Sequence, residues 1–272
     1  MKIAVTGAGG FIGRALTTEL HAAGHDPVPA DLRMAGASAL PDAGAVVHLA
    51  AIAHREASAE ELRRVNVELA EQVGRAAAAA GMHMVFLSSV KVHGEHADAP
   101  LRESSPIAPG DAYGASKAQA ENALRAIPGL RLAVIRPPLV YGPAVKANFL
   151  SLMRALARGI PLPLARIVNR RSLVYVGNLA DAIKLCVLRH ASGAYFVSDG
   201  AAVSTPELCH LLAHELGRPA RLFAFPQTLI PFRSLARSLE VDDTGIRREL
   251  GWQPPFSFED GLRATAHWYR NR

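Results

Sequence analysis

Tyr113 and Lys117 stand four residues apart in Tyr113-Gly114-Ala115-Ser116-Lys117, a spacing that places a phenol and an ammonium on one face of a helix. A phenol titrating near ~10 is a poor base at neutral pH. A neighbouring ammonium and an oxidised nicotinamide both favour the phenolate and bring it toward the working range. The same ammonium can hydrogen-bond the nicotinamide ribose. On its own, Y-x-x-x-K is a common surface pattern. Here it lies one strand–helix unit after Ser88-Ser89 at the end of an apolar run, where a hydroxyl can hold a substrate oxygen while Tyr113 exchanges its proton.

A dinucleotide would have to lie beside that pair, and the N-terminus has the means of holding one. Residues 2–6 form a short β-rich run, followed by Gly7, Gly10 and Gly13 in G-x-x-G-x-x-G spacing, with Phe11 and Ile12 opening a helix. The first glycine permits the tight turn, the second lets backbone N–H groups approach a pyrophosphate, and the third lets the helix pack closely on the strand. Strand, helix, second strand at residues 27–30 and a terminal acid, Asp31, all fall in register, which is far more specific than a glycine triplet alone. A carboxylate at Asp31 accepts hydrogen bonds from ribose hydroxyls and repels a 2′-phosphate, so NAD is the expected cofactor. Arg33 keeps NADP possible, and capping of the following turn is the plainer role for Asp31.

The scaffold that must position these groups is an alternation of periods. Ile12, Leu16 and Leu20 recur every four residues until Gly24, one face of a helix. Residues 45–51 predict a buried strand, 58–80 a long helix closed by Gly81, 84–88 a strand, 113–126 a helix and 132–135 a strand. This is an α/β chain with a Rossmann-type, doubly wound parallel sheet covered on both faces. After Arg136-Pro137-Pro138 the rhythm changes. Helices are expected at 149–156, 179–188 and 206–216 (the last behind a Thr205 cap), and short strands at 173–176 and 194–197. Residues 1–143 and 174–197 would form the dinucleotide-binding domain, and 144–173 and 198–272 a smaller C-terminal substrate lobe.

Composition narrows the alternatives. The 272 residues are 50% hydrophobic and 20% charged, ordinary for a globular chain and unlike disorder, collagen or a disulfide scaffold. Thirty cations against 24 anions give +6, and 25 of the cations are scattered Arg residues, which fits a solvated surface better than a nucleic-acid stripe. Two cysteines, Cys186 and Cys209, are too few for a disulfide framework and point to a reducing cytoplasm. No apolar stretch reaches the ~18 residues of a membrane span, and Met1-Lys2 runs straight toward the glycine turn, so no signal segment is expected. Cys209-His210-x-x-x-His214 has the i, i+4 histidines of a metal site but no third and fourth ligand, so no metal is expected. His48 reads as a satisfied core histidine, and Asn66 either as a polar helix residue near the site or as a solvated one.

Five ordered motifs carry a resemblance: Thr6-Gly7-x-x-Gly10-x-x-Gly13, His48-Leu49-Ala50-Ala51, Leu87-Ser88-Ser89, Tyr113-x-x-x-Lys117, and Arg136-Pro137-Pro138-Leu139-Val140-Tyr141-Gly142-Pro143. With Asn178-Leu179-Ala180-Asp181-Ala182 and Glu249-Leu250-Gly251-Trp252-Gln253-Pro254, it spans nearly the whole chain. The sequence resembles the extended short-chain dehydrogenase/reductases and, more narrowly, the UDP-galactose 4-epimerase-like NAD-dependent epimerase/dehydratase family acting on nucleotide sugars. The resemblance implies Ser89 as catalytic hydroxyl, Tyr113 as acid/base and Lys117 as the group that sets its pKa. It implies Pro137, Pro138 and Leu139 at the nicotinamide, and Leu49, Ala50 and Ala51 toward the adenosine. The family's 4,6-dehydratases resemble one another in an Asp-Glu pair directly after the catalytic hydroxyl. Val90 and Lys91 occupy those positions here, so elimination of water is not expected.

On the substrate side, Asn148 and Arg171 match positions that hold the diphosphate of the nucleotide sugar in such proteins, and a guanidinium fork suits phosphate oxygens. The adjacent Arg170 could take the same role. Segments 145–149, 169–175 and 238–242 also resemble bacterial reductases of 4-keto-6-deoxy-N-acetylhexosamines in surface-polysaccharide synthesis, although this chain is shorter between Phe225 and Ser238. In an extended segment Ser89, Lys91 and His93 would face the pocket together. Lys91 could then touch substrate, act as an extra acid/base, or carry its ammonium to solvent. Two reactions share these residues, C4 epimerisation and reduction of a 4-keto sugar; the detailed resemblance leans toward the reductase, while the general pattern fits either. A non-catalytic dinucleotide-binding module is the alternative class, and typically lacks the Tyr/Lys pair. The resemblance further implies a homodimer formed through the helices around Ala70 and Ala118.

Overall fold

The computed structural model describes residues 1–30, 40–53, 57–200, 202–226 and 236–272. Its main sheet runs β2-β1-β3-β4-β5-β8, parallel throughout. The strands are β1 (Lys2–Thr6), β2 (Asp26–Ala30), β3 (Ala45–His48), β4 (His83–Leu87), β5 (Arg131–Arg136) and β8 (Gly193–Phe196). All residues of β3 and β4 are buried, as befits strands covered on both faces. On one face α1 (Phe11–Ala22) and α6 (Val176–Leu188) pack with Ile3, Val5, Val47 and Val85. On the other, α3 (Leu69–Ala79) and α4 (Ala112–Arg125) pack with Val46, Met84 and Phe86. From β1 the chain passes through α1 to β2 on one side, then crosses to β3 on the other. The strand order therefore reverses between β1 and β3, where ligands of doubly wound sheets bind at the carboxyl ends.

A second core gathers α5 (Ala147–Ala157), α7 (Thr205–Glu215) and the C-terminal helix α9 (Phe258–Arg270) beside a two-stranded parallel ribbon of β6 (Leu139–Tyr141) and β7 (Leu173–Tyr175). Between them α8 (Thr244–Leu250) returns to the main sheet, with Ile246 and Trp252 in its core. Trp252 Nε1 donates to Asp181 Oδ2 at 3.0 Å.

Two local expectations are corrected. The helix over 58–80 comes in three pieces: α2 (Ala59–Leu62), a π turn at Arg63–Glu68, and α3. The wider turn leaves Asn66 1% exposed, where its amide makes three hydrogen bonds that an unbroken α-helix would place differently. Helix α7 is capped by Ser204, in a capping box with Glu207, rather than by Thr205. Thr205 is turned inward, its hydroxyl accepting from Asn169 Nδ2 at 3.0 Å and its N–H donating to Asn169 Oδ1 at 2.8 Å.

Candidate active site

The glycine turn forms as its spacing requires. Gly7 adopts φ +70°, and a Cβ there would press on the backbone of Leu49 and Ala50. A Cβ at Gly13 would collide with the Gly7 carbonyl and with Ala8. Helix α1 begins after Gly10 with no side-chain cap, so its first-turn N–H groups remain open to a ligand. Thr6, ending β1, ties the two strands of the switch point together: its Oγ1 accepts from Leu49 N at 3.1 Å and Ala50 N at 3.2 Å. Its own proton then goes to His48 Nδ1 at 2.9 Å, leaving the hydrogen on Nε2. That Nε2 is buried without a partner, so His48 is only half satisfied. Burial, and then the Lys117 charge, hold its pKa down at about 3.

A groove of about 770 Å³ opens over this turn. It brings Gly7, Gly10, Ala50 and Ala51 together. Gly13 lies beneath the turn, Phe11 packs toward the lobe core, and Ile12 and Leu49 pack against the main core. Asp31 falls outside the described residues. Arg64, Glu68 and Gln72 also line the groove. Their i, i+4, i+8 spacing was a signal in the sequence, since it marks one helix face. A turn that a Cβ would obstruct, an uncapped helix start and a groove of this size fit a dinucleotide.

Ser89 follows β4, and Tyr113 and Lys117 lie in the first turns of α4, whose Asp111 cap accepts from Gly114 N at 2.6 Å. The Ser89 hydroxyl acts on the Tyr113 phenol and favours its ionised form. The sheet continues past β4 to seat this end: Ser88 N donates to Ile135 O at 2.7 Å, and Val90 N to Pro137 O at 3.0 Å. Pro137 and Pro138 are therefore buried next to the Ser89 turn, while Leu139 opens β6 and is 36% exposed. Lys117 is 2% exposed with Nζ 4.1 Å from the centroid of the Phe86 ring. Burial brings its pKa down to about 7. The Tyr113 phenol moves the other way from expectation: burial pushes it up to about 12, only partly opposed by the Ser89 hydrogen bond. Desolvation, with the Asp111 charge, sets the direction in the protein by itself.

Beneath these groups lies a buried polar network. Arg136 grips Glu121 with Nε at 3.0 Å and a terminal nitrogen at 2.6 Å, and Ser88 Oγ donates to the same carboxylate at 2.6 Å. The other terminal nitrogen of Arg136 reaches His93 Nε2 at 3.0 Å, and His93 Nδ1 meets the Pro106 carbonyl at 2.9 Å. Asn66 joins a neighbouring loop to α4: its amide exchanges hydrogen bonds with the Ile52 backbone at 2.8 and 3.1 Å and donates to Ser116 Oγ at 2.9 Å. Glu121 did not declare this role in the sequence, because Arg136 and Ser88 are 15 and 33 residues away; of the two readings of Asn66, the structure has the buried polar one, with partners 14 and 50 residues away.

The segment after Ser89 is not extended. Val90–His93 is a 3₁₀ turn, which sends Lys91 and His93 to different places. His93 is buried on Arg136, and Lys91 Nζ lies 2.5 Å from Asp111 Oδ2 and 3.1 Å from Glu95 Oε1. On the lobe side the arginine pair separates. Arg170 is exposed and bonded to Glu240 at 2.9 Å, whereas Arg171 pairs by backbone with Val203 and Leu239 and lines a small cavity shared with Leu139 and Leu173. The Arg171 guanidinium donates to Arg237 O at 2.9 Å. Asn148 is exposed in the first turn of α5. Cys209 is buried in the lobe core, and His210 and His214 are exposed.

The model of the NAD dependent epimerase/dehydratase family matches residues 3–197. The chain belongs to this family. A UDP-glucose 4-epimerase of Vibrio cholerae is 39% identical over 247 residues, 81% of this chain and 75% of that protein. Among solved structures, the dTDP-glucose 4,6-dehydratase DesIV from Streptomyces venezuelae, with NAD and TYD bound, matches with a TM-score of 0.83 at 27% identity, covering 100% of this chain and 98% of that one. A UDP-N-acetylglucosamine 4-epimerase from Bacillus cereus shares the fold with a TM-score of 0.85 at 20% identity, covering 99% of both chains. The family match covers the glycine turn, Ser89 and the Tyr113–Lys117 pair, so the membership rests on the segments that build the site. Among the described residues no helix is long and apolar enough to cross a membrane.

Proposed function

We propose that this protein exchanges a hydride and a proton at C4 of a nucleotide hexose, as a UDP-sugar 4-epimerase or a closely related 4-ketosugar reductase. The observation that supports it most directly is the buried Lys117 on the helix of Tyr113, with the Ser89 hydroxyl acting on that phenol, at the carboxyl end of a sheet whose switch point carries the dinucleotide groove. NAD bound in that groove supplies reversible hydride acceptance. Ser89 holds the C4 oxygen and aims it at the Tyr113 hydroxyl. Tyr113 takes the proton as the alcohol becomes a ketone and returns it in the reverse step. Lys117, poised near neutrality in its pKa, charges readily when an anion forms beside it, and so stabilises the phenolate. The Pro137-Pro138-Leu139 segment walls the nicotinamide side, Arg171 and Asn148 face the diphosphate, and the buried Arg136–Glu121–Ser88 network keeps the strand end rigid.

Epimerisation is the reading favoured by the 39% identity to a UDP-glucose 4-epimerase, and it needs no net supply of reduced cofactor. Val90 and Lys91, where a dehydratase would place an acid pair, leave no carboxylate for eliminating water. A non-catalytic binding module needs no phenol paired with a buried ammonium, and the presence of Tyr113 with Lys117, 2% exposed, speaks against it. A homodimer through the outer faces of α3 and α4, in the cytoplasm, completes the proposal, with surface-polysaccharide precursors as the product class. The test is incubation with NAD and a panel of UDP-hexoses, N-acetylated and not, with separation of the sugars and absorbance of the reduced nicotinamide followed together. Interconversion without net absorbance change establishes the epimerase, and net consumption of NADH on a 4-keto sugar establishes the reductase. Turnover by Tyr113→Phe equal to wild type would remove the assignment.

A further inference from the structure

Lys91 has no task in the chemistry above, yet it ties the turn after Ser89 to the cap of the helix that carries Tyr113. It lies in the 3₁₀ turn directly after Ser89. Its Nζ reaches Asp111 Oδ2 at 2.5 Å, while the other oxygen of that carboxylate caps α4 through Gly114 N at 2.6 Å. One carboxylate thus joins the turn that holds Ser89 to the first turn of the helix that holds Tyr113. The two backbones also touch: a Cβ at Gly114 would collide with the Lys91 carbonyl. The charged and titratable groups around Tyr113 are Asp111 and Lys117 on its own helix with Glu121 a turn further, Lys91 and Glu95 on and after the Ser89 turn, and His48 at the end of β3 beside Lys117. Asp111 is the anion that acts directly on the phenol, and Lys91 is its counter-ion.

We propose that Lys91 is a positioning residue of the reaction, whose ion pair with Asp111 clamps the Ser89 turn onto the Tyr113 helix and cancels the carboxylate's charge beside the phenol. This rests on the assignment of Tyr113 as the proton-exchanging group. Without Lys91, the bare Asp111 carboxylate favours the protonated phenol. In the direction where Tyr113 must take a proton, the rate then rises only at higher pH.

Lys91→Met, Lys91→Arg, Asp111→Asn and the Lys91→Met/Asp111→Asn double variant test this in the full-length protein with NAD. Asparagine keeps the helix cap while removing the charge. Turnover of UDP-galactose to UDP-glucose is measured against pH, with NAD affinity followed by fluorescence. Lys91→Met should lower kcat about tenfold at neutral pH and move the acid limb of its pH profile up by about one unit, with NAD affinity unchanged within about twofold. Lys91→Arg should keep the limb, and Asp111→Asn in the Lys91→Met background should return it while kcat stays low. An unmoved limb in Lys91→Met, with Tyr113→Phe inactive, overturns the role of Lys91 and leaves the site assignment standing. If wild type and Tyr113→Phe turn over alike, the site assignment itself fails. The clamp is then judged by melting temperatures: losses in the two single variants that fail to add in the double support it, and additive losses refute it.

Discussion

Replacing Lys117 by methionine should make the ligand-free protein more stable while abolishing its chemistry. Burial takes this ammonium from its ordinary 10.5 to about 7. A drop of about 3.5 units, at ~1.4 kcal/mol each, opposes the charged form by ~4–5 kcal/mol, nearly all of it felt at pH 7. Methionine fills the same volume without charge and forfeits the contact with the Phe86 ring, worth ~1–2 kcal/mol. The net gain is ~2–4 kcal/mol, or a rise in Tm of ~5–15 °C for a chain of this size. The pH dependence carries the sharper signature. Between pH 7 and about 10 the unfolded lysine holds a proton that the folded one has released, so wild-type stability climbs with pH by up to ~1.4 kcal/mol per unit relative to the variant. Below pH 7 both states are protonated and the difference levels off. Circular-dichroism melts of both proteins from pH 6.5 to 9.5 therefore should show the advantage of Lys117→Met largest at the acid end and shrinking toward the basic end. A variant that melts at or below wild type, or an advantage that ignores pH, would refute the burial cost assigned to Lys117.

Other consequences are equally direct. Gly13→Ala puts a Cβ into the Gly7 carbonyl and Ala8, so NAD titration should show affinity falling by about a hundredfold or more, ~3 kcal/mol of strain at a turn that cannot shift; affinity within a few-fold of wild type would contradict the cradle. Glu121→Gln leaves the Arg136 guanidinium buried without its charge partner, and urea denaturation should show a loss of ~3–5 kcal/mol. Arg171→Ala should raise KM for a UDP-sugar about tenfold or more with kcat little changed, whereas Arg170→Ala, which removes only an exposed pair with Glu240, should leave both as they were. Equal effects at 170 and 171 would undo the separation of the two guanidiniums.

The N-terminal half was legible in the sequence because its information is local. A turn that only glycine can make, a helix whose apolar residues recur every four positions, and a phenol and ammonium on one helical face are each decided by neighbours in the chain. The alternation of strands and helices then leaves a doubly wound sheet as the way to cover both faces. The sequence alone therefore determined the glycine turn, the parallel sheet and the placing of Tyr113 and Lys117 on one helix. Tertiary structure decided what lies around it. Whether residues 90–93 extend or coil depends on Asp111, eighteen residues beyond the turn, and on the press of Gly114 against Lys91. The π turn at 63–68 exists where Asn66 finds Ile52 and Ser116, and Arg171 parts from Arg170 because Val203 and Leu239 flank it on two sides. The pKa values of Tyr113 and Lys117 follow the same rule. Their spacing announces an interaction, but the direction in which each group moves in the free protein is set first by its burial.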